Sequence, residues 1–549
     1  MPEALTDLNV RLSSALSRAT SQLFRERNSK GFWPGELSSS ALSTATAVTA
    51  LALAQQARAD RSFSQQVNAG LDWLATHQNA DGGWGDTTHS LSNISTTTLC
   101  WAAFGAVPGA DEKYNRTVHA ARCWLEKQAR PHGELFSEAL VSAIVGRYGK
   151  DRTFSVPILT TCALSGRLGC GPEAWRPVLQ LPFELAAFPR RWFATLRLPV
   201  VSYALPALIA IGQARHIHLP SANPLARMMR TALRKRTLRV LEDIQPHNGG
   251  FLEATPLTSF VAMSLASIGL VSHPVTTRAL AFLIASQKND GSWPIDTNLA
   301  TWVTTLSVNA LGPDAFQPEE NKTLRSWLLG QQYRTTHAYT LAAPGGWAWT
   351  DLPGGVPDAD DTAGALLALR TLSGNAPSPE DIEVALRGTE WLLNLQNGDG
   401  GMPTFCRGWG ALPFDRSAPD LTAHALRAWN AWHSSFDQGL QQRCRRAMKR
   451  AINYLKANQR ADGAWVPLWF GNQFAENEEN PLYGTSRVLL ALSAFQENEA
   501  ARFMACRASQ WIRAAQNSDG GWGGEARCAS TTEETALAVE ALAALATSQ

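Results

Sequence analysis

Charge is scarce in this sequence. Only 17% of its 549 residues are Asp, Glu, Lys or Arg, and 49 basic against 47 acidic residues leave a formal net charge of +2. Such balanced totals give no general attraction to nucleic acid, and no nucleic-acid partner is expected. Tyrosine is also rare, 7 residues against 20 Trp, which favours large π faces over phenolic hydroxyls. The 8 cysteines contain no CxxC pair, so neither a zinc knuckle nor a dithiol redox motif is visible, and no metal or cofactor is expected. The opening residues Met1-Pro2-Glu3-Ala4-Leu5-Thr6-Asp7 are acidic and polar where a secretory leader is basic and then apolar. A cytoplasmic protein with reduced thiols is the expectation. The most apolar run, 198–212, carries Pro199 and Pro206 and falls short of the ~20 residues that span a bilayer.

Apolar residues are plentiful at 45%, which excludes disorder and points to an apolar cavity or surface. The length exceeds one ordinary core, so two large domains or a repeat array are expected. The chain does repeat itself. Gln-x3-Gly-x-aromatic recurs at Gln78–Trp84, Gln245–Phe251, Gln287–Trp293, Gln459–Trp465 and Gln516–Trp522. Weaker copies stand at Arg27–Trp33 and Gln396–Met402, with Arg for Gln in one and Met for the aromatic in the other. Helical apolar spacing flanks the motifs, and the Gly-rich turn reads as a C-terminal stop with the indole folded back over its neighbours. Period-2 alternation is nearly absent. The expected fold is therefore all-α: two α/α toroids built of helix-turn-helix repeats, divided at residue 285 into 1–285 and 286–549. The stretch from Ala187 to Arg239 interrupts the pattern.

One segment carries more acid than structure requires. Asp358-Ala359-Asp360-Asp361-Thr362-Ala363 opens an apolar helix, where a single Asp would suffice as a cap. Crowded carboxylates in a buried site cannot all ionise, so one of them is expected to keep a proton and serve as a general acid. The helix N-terminus pulls the other way, and the sequence leaves that contest open. Pro419-Asp420-Leu421-Thr422-Ala423-His424 is a second segment of interest, in which His424 either pairs locally with Asp420 or reaches the acid cluster.

The DxDDTA segment and the repeated Q-x3-G-x-W motifs together resemble the squalene-hopene cyclase family of class II terpene cyclases. The resemblance runs over essentially the whole chain and implies an enzyme that protonates an alkene to start a cyclisation. It makes Asp360 the proton donor, flanked by Asp358 and Asp361, with His424 as its hydrogen-bonding partner. Trp302, Trp349, Phe405 and Trp469 match the family's cavity aromatics, Tyr483 matches its tyrosine near the acid, and Tyr203 is a looser match in the first toroid. The chemistry suits these residues, because a carbocation needs dry walls with π faces and no lone pairs. The chain also departs from the family pattern. The position of the family's water-polarising glutamate falls near Thr98 or Leu99, and a further aromatic-rich repeat of the hopene-forming members does not follow the last repeat seen here. Ring count and termination are therefore not carried over.

The implied substrate is squalene or a similar long polyprene. Alternatives are a class II diterpene-type cyclase acting on a prenyl diphosphate, for which Arg190, Arg191 and Arg197 are candidate anion holders, and a non-catalytic isoprenoid-binding toroid. Protein prenyltransferase β subunits need a Cys ligand where this chain has Asp360. Toroidal glycosidases need carboxyls spread across a cleft. A basic amphipathic stretch near 220–240 suits an anionic lipid interface, and the resemblance implies monotopic contact with the cytoplasmic membrane face; a homodimer is a separate expectation.

Overall fold

The computed structural model describes residues 2–130, 135–149, 152–196, 200–374, 376–410 and 412–548. Among the described residues the only strands are Ser39–Ser40 and Trp293–Pro294, paired antiparallel; the rest of the regular structure is helical. Two rings of inner helices are each wrapped by outer helices, the expected pair of α/α toroids. The first inner ring runs through Ala41–Arg58, Ile94–Gly105, Arg152–Leu164, Val200–His218 and Thr255–Ala266, and the last packs back on the first. The second runs through Ala300–Leu311, Ala359–Ser373, Pro419–Trp432, Pro481–Leu492 and Thr532–Ser548, each against the next. The helix Ala359–Ser373 is buried on nearly every side. The outer helix Gln438–Asn458 buries a stripe that includes Leu440, Cys444, Ala447, Met448, Ala451, Ile452 and Leu455, the pattern of a one-faced surface helix. Among the described residues no helix is long and apolar enough to cross a membrane.

The repeated motif is a staple. The Gln78 amide donates to the carbonyls of Gly82 at 2.7 Å and Thr117 at 3.0 Å, tying one outer helix to the next. The Trp84 indole N–H donates back to Leu74 O at 3.0 Å, and its backbone N–H donates to Thr97 Oγ1 on the following inner helix at 2.9 Å. Gln245, Gln287, Gln396 and Gln459 repeat the double carbonyl contact. Glycine is required where the turn meets its neighbour: Gly249 has φ +89°, and a Cβ there would lie 2.2 Å from Arg278 O. One copy breaks the spacing. Gln332 donates to Gly345 O at 2.8 Å and Val384 O at 3.0 Å, and Trp347 N–H to Thr362 Oγ1 at 3.0 Å, but an insertion separates Gln332 from Gly345 by 13 positions instead of four.

The packing divides the chain elsewhere than at 285/286. Trp33, from the weak copy near the N-terminus, donates its backbone N–H to Thr304 of the second ring at 3.1 Å, while Trp293 donates to Thr44 of the first at 3.0 Å. Phe32 and Trp33 belong to the core of the second ring, and Trp293 to that of the first. The chain thus begins against the second ring, crosses to build the first, and returns through the short strand pair at Ser39–Ser40 and Trp293–Pro294. The reason is that a staple serves the inner helix it caps, whichever ring that helix joins. The stretch from Ala187 to Arg239 continues the repeat, supplying the inner helix Val200–His218 and most of the outer helix Pro224–Ile244.

Candidate active site

The inner helix Ala359–Ser373 begins at Asp358, whose Oδ1 accepts the backbone N–H of Asp361 at 2.9 Å. Asp358 is therefore the structural cap, which leaves Asp360 free to turn into the ring. His424 Nδ1 lies 2.6 Å from Asp360 Oδ1. Gly364, one turn along from Asp360, packs beside this pair: a Cβ there would meet Thr305 Oγ1 closely at 3.1 Å and touch His424 Cε1 at 3.5 Å. Asp420 does not cap its helix; Ala418 holds that position, and Asp420 joins the acid cluster instead.

Asp360 faces a cavity of about 250 Å³ in the middle of the second ring. All five inner helices contribute to its walls, among them Trp302, Asp420, His424, Arg427, Tyr483, Arg487 and Glu540. A quarter of the Asp360 side chain is accessible, and that surface opens into this cavity. Burial pushes Asp358 up to about 7, with the Asp360 charge adding to it. Asp361 is driven well above the ordinary carboxylate range by burial and by Asp358. Asp420 is pushed up to about 7 by burial and then by Asp360. Burial alone would raise Asp360 as well, but His424, Arg487 and the Trp302 indole N–H together hold it below its ordinary value. The contest left open by the sequence is decided by neighbours: burial beats the helix dipole at three carboxyls, and cationic partners reverse it at the fourth.

Trp302 and Tyr483 line the cavity with Asp360, and Phe470 bridges them, 6.3 Å from Trp302 and stacked 4.3 Å from Tyr483. Trp349, Phe405, Trp469 and Tyr203 gather in an adjoining cluster with Phe414. Tyr203 lies 4.9 Å and Trp349 6.2 Å from Phe405, and Trp469 lies 6.0 Å from Phe414. This cluster flanks the acid helix, since Trp302 N–H donates to Trp349 O at 3.1 Å and Ala359 N–H to Thr404 O at 2.8 Å. Tyr203 reaches it from the first ring, its hydroxyl donating to Phe405 O at 3.2 Å. Phe414, Phe470, Arg427, Arg487 and Glu540 were not expected. The two arginines follow Tyr483 by four residues and His424 by three, so extending those helical faces would have found them. Thr98 and Leu99 are buried inside the helix Ile94–Gly105.

Arg190 spends its guanidinium on the carbonyls of Ala338 and Tyr339, both at 2.7 Å, Arg191 is exposed, and Arg197 lies outside the described residues. Among the described residues no group of three His, Cys, Asp or Glu side chains is arranged to hold a metal ion.

Comparison with known proteins identifies the family to which this all-α double toroid belongs. The squalene-hopene cyclase C-terminal domain matches residues 298–548 and the squalene-hopene cyclase N-terminal domain residues 16–162. The chain belongs to the squalene-hopene cyclase family. It is similar to enfumafungin synthase of Hormonema carpetanum, 31% identical over 42% of this chain and 19% of that protein. It is also similar to a squalene hopane cyclase of Aspergillus fumigatus, 24% identical over 95% of this chain and 79% of that one. The chain spans less than half the length of the first two curated relatives it matches. In fold it resembles ent-copalyl diphosphate synthase from Streptomyces platensis, with a TM-score of 0.52 and 19% identity over 96% of this chain and 88% of that one.

Proposed function

We propose that the protein is a class II terpene cyclase in which Asp360 protonates the terminal alkene of a linear isoprenoid and starts a cationic ring closure. The observation that carries this reading is Asp360 held 2.6 Å from His424 at the head of a cavity flanked by aromatic rings. The Asp360 proton adds to the less substituted alkene carbon, a tertiary cation forms, neighbouring double bonds attack it in turn, and loss of a proton ends the sequence with an isomer of the substrate. An alkene is a very weak base, so a strong acid is needed. Each pKa unit by which His424 and Arg487 lower Asp360 favours the transfer by about 1.4 kcal/mol and costs the same in loading the proton. The Trp302 and Phe470 rings offer π faces worth ~0.5 to 2 kcal/mol each to a passing cation without a bonding lone pair, and Tyr483 adds a third face.

Squalene or a similar long polyprene is the first substrate in this proposal, in line with the name of the Aspergillus relative. A prenyl diphosphate is the second reading, favoured by one observation. A surface pocket of about 660 Å³ has Tyr203, Phe405 and Trp391 in its wall and the exposed Arg334 and Arg407 among its lining residues. An apolar tail directed at the aromatic cluster and an anionic head at the arginines would suit it. We also propose membrane contact through the face where Phe188, Trp192, Leu225 and Met228 are exposed beside the basic helix Pro224–Ile244, a pattern suited to an anionic lipid surface.

The test is incubation with squalene and, separately, geranylgeranyl diphosphate in D2O buffer, followed by mass spectrometry of the extract. The expected result is a cyclic isomer carrying one deuterium from solvent. Unchanged substrate in both arms, or a cyclic product without deuterium, would overturn the proposal.

A further inference from the structure

The cavity behind Asp360 is charged where a hydrocarbon-binding wall should be apolar. Arg487 stands one helical turn beyond Tyr483, its guanidinium 5.3 Å from the Tyr483 ring centroid, and it lines the same cavity as Asp360. The Tyr483 hydroxyl, Glu540 and Asp360 all act on Arg487 and keep it protonated against the pull of burial. Arg427 lies on the neighbouring helix, disfavoured as a cation by burial and by Arg487 and favoured by Glu540. No aspect of alkene binding calls for a guanidinium here. Resting on the proposed role of Asp360, we infer that Arg487 is a positioning residue whose charge sets the strength of Asp360 as an acid, and that Glu540 opposes it.

The geometry gives each neighbour a direction. Trp302 and Asn309 face the cavity from the helix Ala300–Leu311, Asp358 and Asp361 flank Asp360 on its own helix, and Asp420, His424 and Arg427 face it from Pro419–Trp432. Tyr483 and Arg487 face it from Pro481–Leu492, and Glu540 from Thr532–Ser548. The neighbouring carboxyls disfavour a negative Asp360; His424 and Arg487 favour it. His424 is in direct contact and also orients the carboxyl, whereas Arg487 acts through its field and so tunes acid strength without holding the proton.

The experiment measures kcat/KM against pH, from about pH 2.5, below the ordinary carboxylate value, up to about pH 8, with whichever of squalene and geranylgeranyl diphosphate is cyclised. Arg487→Met should move the midpoint at which activity falls with rising pH upward by about one to three units. The same variant should lower the plateau at low pH by about tenfold or more, because the loaded acid is weaker. Arg487→Lys should restore both, since it returns the charge. Glu540→Gln, on an exposed position of the last helix, should move the midpoint the other way. Parental midpoint and plateau in Arg487→Met, or Arg487→Lys behaving like Arg487→Met, would overturn the inference. If Arg487→Met does not fold, the Glu540→Gln shift decides: a downward shift supports the inference and no shift overturns it. Asp360→Asn separates the two levels. Parental turnover in Asp360→Asn removes the proposed function itself, while an inactive Asp360→Asn beside an unshifted Arg487→Met removes only the role of Arg487.

Discussion

The two rings share one scaffold and differ in what their inner helices present near their starts. In the first ring these positions carry hydroxyls: Ser43, Thr98, Ser155, Thr255 and Ser259 are buried and make no hydrogen bond to protein through the side-chain oxygen. In the second ring three of the five starts carry Asp358, Asp360, Asp361, Asp420 and Tyr483, while Thr301 keeps a buried hydroxyl like those of the first ring. The staples are alike in both, down to the Gln amide bridging two carbonyls. The repeat therefore holds the rings together, and the proposed chemistry rests on a few residues near the starts of the inner helices.

Four changes test this division, beginning with the most severe. Asp360→Asn should reduce cyclisation by about 10³-fold or more while leaving the melting temperature near that of the parent. Turnover within tenfold of the parent would break the asymmetry between the rings. Gly364→Val comes next. A branched side chain between Thr305 and His424 should displace the imidazole from Asp360, lowering turnover by about 10²-fold and stability by about 1–3 kcal/mol, read by product formation and urea denaturation. An unchanged rate would show that the 2.6 Å contact is dispensable.

The third change concerns a half-buried acid at the seam between the rings. Burial, with Glu253 nearby, pushes Asp296 up to about 7. Between the unfolded value near ~3.9 and that raised value the folded protein holds a proton that the unfolded chain has lost, so stability falls as pH rises through this window. Asn removes the titration. The melting temperature of Asp296→Asn relative to the parent should therefore be higher at about pH 8 than at about pH 5, by a degree or more; an equal gap at both would show that Asp296 does not titrate there. The smallest effects belong to the staples. Gln245→Ala and Gln396→Ala each lose two carbonyl contacts and should cost roughly 1–3 kcal/mol by urea denaturation, similarly in both rings and with the product unchanged. A changed product from Gln396→Ala alone would tie that scaffold motif to the chemistry.

Much of this was legible because it is local. The Gln-x3-Gly-x-Trp turns announce themselves by spacing, and the helices around them by apolar periodicity. Asp358, Asp360 and Asp361 stand out as an excess of charge at one helix start. What escaped has long-range causes. The copy built on Gln332 is hidden by an insertion, and the place of Trp33 in the second ring depends on a partner, Thr304, 271 residues away. Phe414 and Phe470 sit in irregular loops with no periodicity to mark them. Arg427, Arg487 and Glu540 read as ordinary helix residues until the ring closes and turns them inward.

By itself the sequence determined the class of fold, the staple chemistry and which helix start carries surplus acid, since each depends on contacts within one or two turns. Tertiary structure alone decided which of the four carboxyls is held below its ordinary value. That choice depends on an imidazole and a guanidinium brought in from other helices, and Coulomb interactions follow distance in space, not distance along the chain.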